Sequence, residues 1–143
     1  MILSEIEIKE AFFTLIKASE LSRMISGSVY RDRRPLNSKV EDVVISVLST
    51  GAGQIQPFIL NINVYVPDIK RGKEFIYNDD RVKPLMRKCL DILEEGVVVY
   101  ASDETGRQEF GLRYKLESQK LYEVNGEDFH AINHKIRVNV CTE

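Results

Sequence analysis

The chain has 143 residues, with twenty Lys and Arg against twenty-two Asp and Glu, and a sequence pI near 5.8. That length fits one domain, residues 1–143, able to bury a core without staples, and the charge balance excludes a whole-molecule basic footprint for nucleic acid or a polybasic membrane contact. With only Cys89 and Cys141, no basic leader at Met1–Glu5 and no apolar run of transmembrane length, the expectation is a protein of the reducing cytoplasm.

Between Ser4 and Met24 the apolar residues Ile8, Ala11, Phe12, Leu15 and Ile16 recur at helical spacing. Ser4 with Glu7 forms a capping box that starts the helix, and Ser26-Gly27 breaks it. Ser28-Val29-Tyr30 is a short candidate strand, and Arg31 to Ser38 reads as an exposed loop.

The most regular stretch follows. Asp42 to Ser49 is rich in β-branched residues, Thr50-Gly51-Ala52-Gly53 has turn chemistry, and from Phe58 the residues alternate until Pro67. Phe58, Leu60, Ile62, Val64 and Val66 fall on one face, and Ile59, Asn61, Asn63 and Tyr65 on the other. Burying the five apolar side chains stabilises by about ten kcal/mol, so that face must be covered.

Asp68 to Glu74 is charged and reads as a loop. Asn78 then caps a second helix, about Asp79 to Glu95, whose stripe is Val82, Leu85, Met86, Cys89, Leu90 and Leu93, with Pro84 in the early turns and Gly96 as the stop. Val97 to Ala101 has strand character, Ser102 to Gly106 is a turn, and Tyr114 to Val124 alternates as a half-exposed strand with Tyr114 and Tyr122 on one side. Asn125-Gly126 turns the chain into a last strand, Phe129 to Cys141, with Ile132, Ile136, Val138 and Val140 on one face. The order α-β-β-β-α-β-β-β predicts an α+β domain, an antiparallel or at most mixed sheet with two helices on one face.

Candidate chemistry is sparse. His130 and His134 would chelate a metal on a helix, but on a strand four residues span ~13 Å, too far for one ion, so two solvated strand histidines are expected. The acidic pairs Asp79-Asp80, Glu94-Glu95 and Glu127-Asp128 sit at element boundaries, Gly51-Ala52-Gly53 lacks the ending of a phosphate loop, and no serine has a nucleophile-elbow setting. The expectation is a non-enzyme with no metal and no cofactor. Arg31, Arg33 and Arg34 form a local basic cluster, read either as a solvated turn or as a contact for an acidic surface or phosphate backbone.

In element order and pattern the chain resembles the tail-terminator, or tail-completion, proteins of long-tailed phages and the related head-tail joining proteins. The resemblance rests on Phe12-Phe13-Thr14-Leu15-Ile16, Gly27-Ser28-Val29-Tyr30 with Arg33-Arg34-Pro35, Asn61-Ile62-Asn63-Val64-Tyr65-Val66, the helix Val82 to Leu93 and Ile136-Arg137-Val138-Asn139-Val140. It implies a structural protein that forms a ring, commonly a hexamer, and meets tail tube and head connector, without membrane or sequence-specific nucleic-acid partners. It is expected in the cytoplasm during assembly and in the virion tail if phage-derived. In such a ring the long hairpin and final strand supply one patch, and the loops carrying Arg31, Arg33, Arg34, Lys70 and Arg71 the other. The rival expectation is a cytoplasmic binding or accessory module of unknown ligand, monomeric or dimeric.

Overall fold

The computed structural model describes residues 3–49, 58–101 and 109–141. The turns expected at Thr50–Gly53 and Ser102–Gly106 lie outside the described residues. Helix α1 (Glu5–Ala18) begins where the capping box places it, with Ser4 Oγ accepting the Glu7 N–H at 3.3 Å and Glu7 Oε1 accepting the Ser4 N–H at 3.0 Å. It stops before the expected Met24. Ser19 is extended and both its N–H and its hydroxyl donate to the Ile16 carbonyl, an alternative to continuing the helix that serine side chains readily offer. A single turn, α2 (Leu21–Met24), follows with Leu21 buried.

The strands are β1 (Val29–Arg31), β2 (Asp42–Ser49) and β3 (Phe58–Pro67), then β4 (Ile69–Arg71) and β5 (Glu74–Ile76), and after helix α3 (Asp79–Leu93) come β6 (Glu95–Ala101), β7 (Glu109–Glu123) and β8 (Phe129–Cys141). Six of them form one sheet in the order β1-β2-β3-β8-β7-β6, antiparallel throughout except for the parallel pair β1–β2. The class is α+β. The faces of β3 are as the alternation predicts: Leu60, Ile62 and Val64 are fully buried, while Asn61, Asn63 and Tyr65 lie half-buried on the other side.

Helix α1 packs on β1, β2 and β6, and α3 on β3, β7 and β8, all on the same sheet face. Because α1 touches both marginal strands, the sheet curls around it. Phe12 meets Tyr114 edge to face, with centroids 5.4 Å apart, and Leu85, Cys89 and Leu93 close the core from the other helix. Burial pushes the Cys89 thiol up to about 12, the behaviour of an inert core cysteine.

Four local expectations are corrected. The segment Asp68 to Glu74 is mostly a small two-stranded hairpin, β4–β5, turned by Gly72 at φ 64°. Gly96 is a residue of β6 rather than the helix stop: α3 ends at Leu93, and a Cβ on Gly96 would lie 2.5 Å from Tyr114 Oη, whose hydroxyl donates to the Ile92 carbonyl at 2.9 Å. The glycine exists for that close approach. In β7 a bulge at Glu117 shifts the register between Leu116 and Ser118, so Tyr114 faces the core and Tyr122 the opposite side. Finally, His134 is not solvated but fully buried between Ile132 and Ile136 on the core face.

Candidate functional site

Sheet order decides which backbone is open to a partner. β3 and β8 are interior strands with both edges paired, so of the expected hairpin-and-final-strand patch only β2 lies toward a sheet margin. β6 lies at one margin and the three-residue β1 at the other; because β1 covers only Val43 to Ile45, the Ser46–Ser49 stretch of β2 has no second strand partner among the described residues. Among the described residues β6 lacks three of the usual edge guards. Its sequence Glu-Gly-Val-Val-Val-Tyr-Ala has no proline and no lysine, its pairing with β7 runs without a bulge, and Val97 and Val99 are 60% and 64% exposed. Beside it, Ala11, Thr14, Leu15 and Ala18 of α1 form a groove against Val98 and Val99.

The five cations expected at an interface lie in two places, the end of β1 with the loop after it and the β4–β5 hairpin. Arg31 ends β1, exposed, with its guanidinium 5.0 Å from the Phe13 ring centroid. Arg33 is exposed and its side chain has no partner among the described residues. Between them Asp32, at φ 69°, takes the Lys9 ammonium at 2.7 Å. Lys70 and Arg71 are exposed on the separate β4–β5 hairpin. Arg34 departs from the expectation of a free loop side chain: only 11% exposed, its guanidinium lies 4.2 Å from the Tyr65 ring and 4.3 Å from that of Phe129, and Nη2 donates to Glu127 Oε1 at 2.7 Å. It clamps the loop to the outer sheet face. Accordingly, Arg34→Ala is expected to lower stability by about 1 to 2 kcal/mol, while Arg31→Ser with Arg33→Ser leaves the thermal melt unchanged. Equal melts for both proteins would contradict the clamp.

The histidines act separately. His130 Nδ1 donates to Asp68 Oδ1 at 2.7 Å, with Tyr77 edge-on at 5.6 Å, which ties the root of the β4–β5 hairpin to β8. Both ring nitrogens of His134 are engaged, with the Ile62 carbonyl and Gln119 at 2.9 Å each. Among the described residues no group of three or more His, Cys, Asp or Glu side chains is arranged to hold a metal.

A buried polar joint escaped sequence reasoning. Arg81 on α3 donates from Nε and Nη2 to the two oxygens of Glu41 at 2.7 Å each and to the Met24 carbonyl at 2.7 Å; the hydrogen bond to Glu41 raises the Arg81 pKa. Asp42, fully buried, accepts from the Ser28 N–H and the Ser38 hydroxyl. A Cβ on Gly27 would fall 2.1 Å from Asp42 Oδ1, so only glycine lets the chain pass here. The joint locks α2, the start of β2 and α3 together.

No protein-family model matches the chain, and no curated protein matches its sequence. No helix among the described residues is long and apolar enough to cross a membrane.

Proposed function

We propose that the chain is a non-enzymatic assembly protein of the phage tail-terminator kind, closing into a ring at a tail end or head-tail junction. The observation that carries the reading is the β6 margin of the sheet with its exposed Val97 and Val99. A margin strand that pairs on one side among the described residues and carries two exposed valines is a template for another strand, and proteins commonly cover or pair an edge of that kind. A ring needs two different complementary patches on each subunit. The two sheet margins are unlike: β6 with the α1 groove on one side, β1 and the Ser46–Ser49 stretch of β2 on the other. Pairing the first margin of one copy with the second of the next continues the sheet from subunit to subunit.

The experiment is electron microscopy of the purified chain mixed with tail tubes from the same source. The reading expects a ring at one tube end, and tubes of uncontrolled length when the protein is withheld during assembly. Bare tube ends at saturating protein, with normal tube length in its absence, would contradict it.

A further inference from the structure

On the outer sheet face, opposite the helices, the strands bring together cations that lie far apart in sequence. Arg113 and Lys115 point outward before the β7 bulge, and the bulge turns Lys120 to the same side after it. On β8, Lys135 and Arg137 share that face, with Lys115 opposite Arg137, Ser118 opposite Lys135 and Lys120 opposite Asn133. Five of the twenty Lys and Arg therefore form one stripe on a chain whose formal charge is −2. Neighbouring strands are ~4.8 Å apart and alternate residues on a strand ~6.7 Å, so the stripe is continuous.

Its charges are little neutralised. Arg113, Lys115, Lys120 and Lys135 form no ion pair among the described residues, and Arg137 meets Glu117 only at 3.9 Å with both side chains well exposed. Among the described residues Glu95, opposite Lys115 at the β6 margin, and Glu109, four residues before Arg113 on β7, are further carboxylates on this face. Arg113, Lys115, Arg137 and Asn139 also line a shallow hollow in the sheet.

We infer that this face binds the phosphodiester backbone of a nucleic acid without reading its sequence. A protein partner is disfavoured by composition, because protein interfaces gather aromatic residues at their centre and exclude lysine, whereas this stripe holds three lysines, two arginines and asparagines. A lipid surface is disfavoured because the apolar side chains beside the stripe are few and short of an insertion patch: Ile59, opposite Arg137, is half-buried, and Val97 and Val99 are exposed on the β6 side. Arginine, lysine and asparagine side chains at strand spacing suit phosphate oxygens, and the outer face supplies no helix or ribbon to enter a groove and read base edges. The inference stands on the single chain and does not depend on ring formation.

The test is fluorescence anisotropy of a labelled single strand and of the corresponding duplex, titrated with the full chain over a range of salt. Binding is expected to weaken with salt on a log-log slope of about −0.7 per phosphate contacted on the single strand or about −0.9 on the duplex, and whichever is held tighter identifies the form preferred. Lys115→Glu, Lys135→Glu and Arg137→Glu together are expected to weaken binding by at least about tenfold and to flatten the slope. The charge-matched control Lys39→Glu, Lys73→Glu and Lys83→Glu, all exposed and off this face, is expected to bind like a protein carrying only the lower net charge. If the triple reversal does not fold, Lys115→Gln with Arg137→Gln gives the same comparison. Absence of binding at low salt, equal loss in both triple variants, or displacement by poly-glutamate as readily as by oligonucleotide would overturn the inference, the last pointing to an acidic protein instead.

Discussion

Ile62→Asp and Val64→Asp are each expected to leave no soluble folded protein. Both side chains are fully buried, Ile62 lies between Ile45 on β2 and His134 on β8, and Val64 between Val43 and Ile132. Removing such a side chain costs about 2 to 4 kcal/mol, and an unpaired carboxylate in its place adds several more, which together match the net stability of an ordinary domain. Asn63→Asp, one residue away on the outer face, is expected to change stability by less than about 1 kcal/mol. Asn63 Oδ1 already accepts from Asn133 Nδ2 at 2.7 Å; a carboxylate keeps that bond and gains the nearby Lys120 charge, which sits opposite Asn133. Circular dichroism and urea melts on the three variants check this. Similar tolerance at 62 and 63 would mean that the faces of β3 are reversed.

The second large effect is acid sensitivity set by His134. Its Nδ1–H donates to the Ile62 carbonyl, and Nε2 accepts from the Gln119 amide, whose other hydrogen goes to the Met86 carbonyl at 2.9 Å. Protonation would set a donor against a donor in a dry site. Burial lowers the pKa of His134 to about 4, whereas the unfolded histidine titrates near its ordinary value of 6.5. Between those values the unfolded chain binds a proton that the folded one refuses, so this contribution is complete above pH ~6.5 and falls as the pH drops, by about 3 kcal/mol at pH ~4. His134→Gln removes the titrating group and is expected to be less stable than wild type near neutrality but to lose less on acidification. Parallel pH profiles for the two proteins, from urea midpoints, would exclude His134 as the cause.

The parts of the fold legible in sequence were those fixed by neighbours in the chain. The capping box of Ser4 and Glu7, the alternation of Phe58 to Val66 and the Asn125-Gly126 turn each act over a few residues, and each is found in place. The β4–β5 hairpin was illegible because Lys70-Arg71-Gly72-Lys73 has the composition of a loop and no apolar period. What depends on distant pairing could not be read at all. Arg34 is buried by Tyr65 and Phe129, and Glu41 finds Arg81 forty residues on. The sheet margins follow from strand order, which no local pattern encodes. The basic stripe is hidden twice, since residues 113, 115, 120, 135 and 137 look scattered and strict alternation would put Lys115 and Lys120 on opposite faces, where only the bulge brings them to one.

The central claim, assembly through the β6 margin, is tested most directly by the solution mass of the chain as its concentration is raised toward the millimolar range. Sedimentation velocity on wild type is expected to show a closed multiple of 16.4 kDa. Val97→Lys with Val99→Lys, which places two charges on an exposed edge and removes no core contact, is expected to sediment as a monomer with an unchanged thermal melt. A wild-type chain that stays at 16.4 kDa throughout, or an edge variant that assembles as wild type does, would contradict the account.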